Sequence, residues 1–538
     1  MNTRFRSISR RSFLMASTVI VAGQAISYGT KAAAEDSPVS GGTLNVAYAL
    51  PATNLLTLTT TAGTDYQLSS KITEGLLTYD FGFVPKPGLA TAWEVSADGK
   101  LVTFKIRKGV SWHDGKAFSA SDVAFSIGLL KEVHPRGRLT FANVETISNP
   151  DDETVILNLK APAPYLLTAL SGEESPIVPK HIYEGTDAAT NPHNSAPIGT
   201  GPFKFKEWVK GSHIIFEKNE NYWDKPKPYL DRIVFREIPD RSALAAALET
   251  GEIHIAGGSP VPVPLADLER LKALPHLALE SKGYEYLPDI VRIEFNLDHK
   301  FFGDVKVRQA IAHALKKEVL LNTAFYGYGE IATGPIPNNS PFYSADVPSY
   351  NFDITKAEKL LDEAGYPRGS DGVRYKVTLD PLPIPTLQAG ADYIRQALGK
   401  IGINVTLRSQ DFPTYIKRVF TDHDFEFIFA QSGASFDPTL GVQRFYWSKN
   451  IKKGVPFSNA AYYRSPEVDS LLEAAAVEPD VTKRKQLFAR FQQVATTDLP
   501  SINILLPTLI TIYNKKVINH TLGPDGVHAS WSNVWLKP

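Results

Sequence analysis

Cysteine is absent from the 538-residue chain, and methionine occurs only as Met1 and Met15. Beyond residue 15 there is no thiol or thioether. That excludes disulfide cross-links, iron–sulfur ligation, thiolate zinc sites and a cysteine nucleophile. It also excludes a lipid-modified cysteine as a membrane tether. No stretch after residue 34 is long and apolar enough to span a bilayer. An excess of either charge is missing too: 57 Lys and Arg stand against 57 Asp and Glu. Nothing in that balance calls for nucleic acid or an anionic membrane as partner. The twelve histidines form no H-x-H or H-x-x-x-H pair, which disfavours a bare transition-metal site. No dinucleotide fingerprint, G-x-S-x-G elbow, H-E-x-x-H or S-x-x-K set with its partner motifs occurs. The expectation is therefore no enzyme, no cofactor and no resident metal.

What is present begins at the N-terminus. Ser9-Arg10-Arg11-Ser12-Phe13-Leu14 precedes a mildly apolar run from Met15 to Tyr28, then Lys31 and Ala32-Ala33-Ala34. A positive start, an apolar stretch and small residues at the end make an export signal. The paired arginines before Phe-Leu resemble a twin-arginine signal, with cleavage expected near Ala34. Removing residues 1–34 removes five basic residues and no acidic one, leaving 504 residues with a formal charge of −5. A chain of that length supports two or three packed lobes. With no lipid tether, the expected location is the periplasm, as a freely diffusing monomer.

The remainder reads as alternating strands and helices. Gly42–Leu50 is a first strand. Val102, Phe104 and Ile106 alternate with polar neighbours, predicting a half-buried strand over Leu101–Arg107. Ser119-Ala-Ser-Asp122 reads as a capping box opening a helix, and Thr154–Lys160 as another alternating strand. A short helix is expected over Arg241–Thr250, ended by Gly251. Val307, Ala310, Ile311, Ala314 and Leu315 fall on one helical face, and Asp353 can cap a helix stopped by Gly365. Ala391–Lys400 followed by Gly402 to Leu407 is a helix, turn and strand, suggesting partly parallel sheets. A late helix, Val481–Thr497, precedes the apolar run Ser501–Tyr513, expected to return as a buried strand.

These segments carry a resemblance. Trp93 through Gly115, with Asp98-Gly99, Gly109 and Trp112-His113-Asp114-Gly115, continues into Ser119–Ser126. It is followed in order by Pro197–Phe203, Asn219–Trp223, Asp304–Ile311 and Lys356–Tyr366. Together they resemble the family 5 extracellular solute-binding proteins, the periplasmic receptors that deliver oligopeptides, dipeptides and some other ligands to ABC importers. The blocks themselves read as structural. Asp98-Gly99 and Asp114-Gly115 close hairpins, His113 is a packed turn histidine, and Gly199-Thr-Gly201-Pro202 is an interlobe turn rather than a phosphate loop.

The resemblance implies an α/β, two-lobed periplasmic-binding-protein fold (type II, cluster C-like) with a subdomain inserted in the first lobe. Lobe I would comprise 35–79, 190–285 and 501–538, the inserted subdomain 80–189, and lobe II 286–500. Hinge crossings would lie near Ser281–Tyr286 and near Pro500. Ligand would bind between the lobes, and membrane permease subunits would read closure.

In that family the cleft is lined by a loop after the first strand, the hinge, and a second-lobe loop ending in Asp-Pro or Glu-Pro. Here that loop is Gln431-Ser432-Gly433-Ala434-Ser435-Phe436-Asp437-Pro438. Peptide receptors place an aspartate where Ser435 stands, to pair with the peptide amine. The arginines that hold a peptide carboxylate in some members fall on Phe420 and Phe429. Either Asp437 swings in to replace the missing carboxylate, or the ligand is not anchored by an N-terminal amine, because an unpaired buried ammonium is costly. Further lining candidates are Tyr48, Asn54, Tyr286, Arg444, Trp447 and Trp531. For each of them ordinary core packing is an equally good explanation. Glu173-Glu174 is discounted as a carboxylate pair, since neighbours on an extended segment point apart. The leading expectation is a receptor for peptides or peptide-like solutes. The alternative keeps the fold for a sugar conjugate, opine, chelated metal or haem.

Overall fold

The computed structural model describes residues 37–538. The expected export signal, with its expected cleavage near Ala34, lies outside them. Val39–Pro538 forms one compact unit, built on three main sheets. The first has seven strands, in the order Leu277–Glu280, Thr511–Asn514, Ile255–Ala256, Thr43–Tyr48, Arg232–Glu237, His213–Lys218 and Phe203–Val209. Thr43–Tyr48 pairs in parallel with Arg232–Glu237 and with Ile255–Ala256. The second has six: Gly329–Ile331, Ser501–Pro507, Asp289–Phe295, Phe427–Gly433, Tyr375–Pro381 and Ile403–Leu407. Tyr375–Pro381 and Ile403–Leu407 run parallel, joined through the helix Pro385–Lys400, as the helix-turn-strand pattern predicts.

A four-stranded antiparallel sheet, Ala90–Val95, Leu101–Ile106, Thr154–Leu159 and Val144–Asp151, forms the inserted part of the first lobe. Val102, Phe104 and Ile106 face its core, and Leu101 is exposed, following the period-2 alternation. The helix Ala120–Val133 packs on this sheet. Ser119 and Asp122 close the capping box, Ser119 accepting from Ser121 N at 3.3 Å and Asp122 from Ser119 N at 3.0 Å. Asp353 caps Ile354–Glu363 through Lys356 N at 2.9 Å.

Two places depart from the sequence reading. The apolar run after Pro500 is not one strand. Ser501–Pro507 pairs with Asp289–Phe295 in the second sheet, and only Thr511–Asn514 returns to the first. Pro507, which has no N–H, ends the first of these strands, and the chain changes lobes over 508–510. The other crossing is 281–288, between Leu277–Glu280 and Asp289–Phe295.

The Gly199–Pro202 turn is the second departure, since it lies within the first lobe. A Cβ at Gly199 or Gly201 would come within 1.9 or 2.5 Å of the Ile72 carbonyl oxygen, and Gly201 N donates to that oxygen at 2.8 Å. The turn therefore seats on the end of the helix Gly63–Ile72. His113 holds it from the other side, Nδ1 accepting from Gly199 N at 3.2 Å and Nε2 donating to Gly201 O at 3.0 Å. Burial lowers its pKa to about 4, so it is a neutral structural group.

Candidate functional site

The two large sheets are separate cores, and between them the lobes meet through polar and aromatic groups and one small apolar cluster, Leu440 against Tyr165 and Ala169. Ser259, after Ile255–Ala256 in the first lobe, donates to Asp289 Oδ2 at the start of a second-lobe strand. Gln431 Nε2 donates to the same oxygen at 2.6 Å. Phe83 stacks on Phe436 with centroids 3.4 Å apart and planes 10° off parallel. Tyr286, in the first crossing, donates from its hydroxyl to Thr168 O at 2.7 Å, accepts from Ser171 Oγ at 3.2 Å, and stacks on Tyr79. A small interlobe cavity of about 20 Å³ remains near Arg241 and Pro260, lined from the second lobe by Gln431, and a second of the same size, lined by Tyr48 and Gln67, lies within the first lobe. The lobes are thus in contact across this surface.

At the centre of this surface are three arginines. Arg136 from the first lobe donates Nε to Glu174 Oε1 at 2.9 Å, and its Nη2 meets Glu174 Oε2 and the Tyr66 hydroxyl. Burial opposes the charge on Arg136, but Glu174 outweighs it and holds the guanidinium firmly protonated. In the second lobe, Arg292 Nε pairs with Glu294 at 3.0 Å, its Nη1 donates to Ser432 Oγ at 2.5 Å, and its guanidinium covers the Phe445 ring. Arg444, on the short helix Gln443–Tyr446, has no such carboxylate. Its Nη2 donates to Gly433 O at 2.9 Å, and its buried Nε has no partner. Burial, then the charges of Arg136 and Arg292, lower its pKa to about 9.

Beside Arg136 and Glu174 lies a second titratable group. Glu173 is 2 % exposed, and among the described residues the one basic side chain within 4 Å of its carboxylate is His528, with Nδ1 at 3.2 Å. Burial and the adjacent Glu174 push its pKa up to about 8. Burial takes His528 down to about 4. The sequence reading discounted this pair of carboxylates as pointing apart. Both are in fact buried and coupled, because the segment is a turn rather than a strand.

The remaining expected site residues divide. Tyr48 is buried at the end of its strand with its hydroxyl 3.5 Å from Glu237. Asn54 is half-buried on a loop pinned by the buried Asp65. Ser435 is buried with φ 53°, which turns the loop and leaves Phe436 against Phe83. Asp437 does not swing into the cleft, since Arg484 Nη1 and Nη2 grip both its oxygens at 2.7 Å. Trp447 bonds Glu473 at 2.8 Å within the second lobe. Trp531 is in the first-lobe core, bonded to His520 O and Gly526 O, with Lys71 Nζ 4.3 Å above the ring. Ser432 is taken up by Arg292. Sequence reasoning missed Arg136, Tyr66, Ser259, Asp289 and Phe83, which come from segments far apart in the chain and carry no local motif.

Residues 84–454 match the bacterial extracellular solute-binding proteins, family 5 Middle. The chain belongs to that family. It is 29 % identical over 506 residues to the dipeptide-binding protein of Escherichia coli strain K12, covering 89 % of this chain and 91 % of that one. The periplasmic binding protein DppA of Helicobacter pylori, solved with the peptide STSA, superposes with a TM-score of 0.81 at 28 % identity, covering 93 % of this chain and 99 % of the other. AgaA from A. tumefaciens R10, solved with agropinic acid, superposes at 0.79 and 28 %, covering 92 % and 99 %. The protein is a two-lobed, type II solute-binding receptor of the kind that serves ABC importers.

Proposed function

We propose that this receptor captures a peptide or peptide-like solute between its lobes in the periplasm and passes it unchanged to the permease subunits of an ABC importer. The observation that carries the reading is the interlobe surface itself. Buried polar groups from both lobes (Ser259, Tyr66 and Arg136 facing Asp289, Gln431 and Arg444) meet there instead of a continuous apolar core. A surface of this kind suits a ligand that completes hydrogen bonds only on closure. The crossings at 281–288 and 508–510 serve as the hinge, and the twin-arginine signal delivers the protein as a monomer. The relatives that bind peptides support the peptide class.

A second reading, an opine or similar conjugate, is favoured by one feature. Ser435 and the Arg484-bound Asp437 leave the loop no free carboxylate for a peptide amine. The test is binding without turnover. A cognate solute raises the melting temperature, compacts the protein in small-angle scattering, and is recovered intact by mass spectrometry. Chemical conversion of the bound compound would overturn the receptor reading.

A further inference from the structure

We infer that Arg444 is an anion anchor for the captured solute, and that the solute therefore carries a carboxylate. This rests on the receptor reading above and identifies the chemistry of its cleft. Arg444 is 8 % exposed, yet among the described residues no carboxylate lies within ion-pairing distance of it. A guanidinium offers five N–H donors, and the protein takes one, through Gly433 O. The other charges nearby are already matched, Arg136 by Glu174 and Arg292 by Glu294. Asp289, on the strand beside Gly433, is taken up by hydrogen bonds from Ser259 and Gln431.

The Arg444 guanidinium is therefore left without an ion-pair partner at the junction of the lobes. Burying an unpaired ion is costly, so a structural arginine is a poor explanation. Within its own segment the guanidinium has, besides Gly433 O, only the Phe445 ring, 4.6 Å from its centre, which carries no charge. Asp437 is gripped by Arg484, and a Cβ at Gly441 would fall 1.5 Å from Ala434 O, so the loop is folded too tightly to rearrange. The planar fork of a guanidinium matches a carboxylate in two parallel hydrogen bonds. A monoanion matches the one unpaired guanidinium, whereas a dianionic phosphate would overfill it beside Glu174.

The test uses the mature full-length protein after exhaustive dialysis. The probes are one mixture of dipeptides and N-carboxyalkyl amino acids as free acids, and the same compounds with every carboxyl converted to the primary amide. Calorimetry and thermal unfolding are read for the wild type, Arg444→Met and Arg444→Lys. Free acids are expected to bind the wild type and amides not. Arg444→Met loses at least about tenfold in affinity for the acids, and Arg444→Lys keeps part of it. Without ligand, Arg444→Met melts at the same temperature as the wild type or higher, since it removes an unpaired buried charge.

Equal binding of acids and amides, or unchanged acid binding by Arg444→Met, overturns the anchor and leaves the receptor standing. So does a melting temperature lowered by Arg444→Met with acid preference retained. Binding of neither mixture to the wild type overturns the peptide-like cargo, and the anchor with it.

Discussion

Arg444 and Arg484 show how one residue type serves opposite ends at the scale of a side chain. Arg484 binds both oxygens of Asp437 and the Thr439 hydroxyl, all buried, and so fixes the loop. Removing one partner of such a pair strands the other charge. Asp437→Asn is therefore expected to cost about 3–5 kcal/mol in urea denaturation, while the remaining folded protein keeps its ligand preference. The Glu173–His528 contact yields a second prediction. The folded pair holds one proton, on Glu173 up to about pH 8, with His528 neutral above about 4. In the unfolded chain, with ordinary values of 4.5 and 6.5, the pair also holds one proton between those limits, on the histidine. Stability from this pair is then flat across that window. Above 6.5 the unfolded chain releases its proton while the folded one keeps it, so stability falls as pH rises from 6.5 to 8. Melting temperatures across this range should decline for the wild type, and Glu173→Gln should remove that part of the decline.

At the scale of elements, the decisive feature is a pair of strands that share one apolar run. Ser501–Pro507 completes the second sheet and Thr511–Asn514 enters the first, so a single segment ties both lobes. Both strands are apolar because both are interior, paired on either side, and composition cannot tell one buried strand from two. Elsewhere local chemistry sufficed, as in the capping box at Ser119 and the alternation at Val102, Phe104 and Ile106. The Gly199–Pro202 turn shows the limit. Its glycines are needed because the chain runs against the Ile72 carbonyl, a contact over a long sequence separation. Gly199→Ala is expected to destabilise the first lobe by about 1–3 kcal/mol through overpacking, measured by chemical denaturation, with ligand preference unaltered in the folded fraction.

On the proposed reading the whole molecule is a clamp, and its lobes touch at several separate points. Phe83 on Phe436, Ser259 on Asp289 and Tyr328 on Glu269 bridge the lobes at separate points. A ligand that favours the closed arrangement binds more weakly when that arrangement is less populated. Phe436→Ala should therefore enlarge the radius of gyration of the ligand-free protein and weaken binding several-fold. Saturating ligand should restore the wild-type compactness. An unchanged scattering profile would show that the aromatic stack does not hold the lobes together.

The linear chain determined its own composition, free of sulfur beyond residue 15, and a series of ordered blocks that mark the family. It also determined most helices and strands, because their periodicities and caps depend on neighbours a few residues away. Only the tertiary structure decided which polar groups face the cleft. Asp437, the one acidic residue of its loop, is spent on Arg484, and Trp447 and Trp531 are spent on their own lobes. Arg444 acquires its role from what surrounds it: Arg136 and Glu174 from more than 250 residues earlier, and Asp289 across a strand pair. The charge balance of a buried site is a sum over groups the chain brings together from far apart, and no local pattern in the sequence records it.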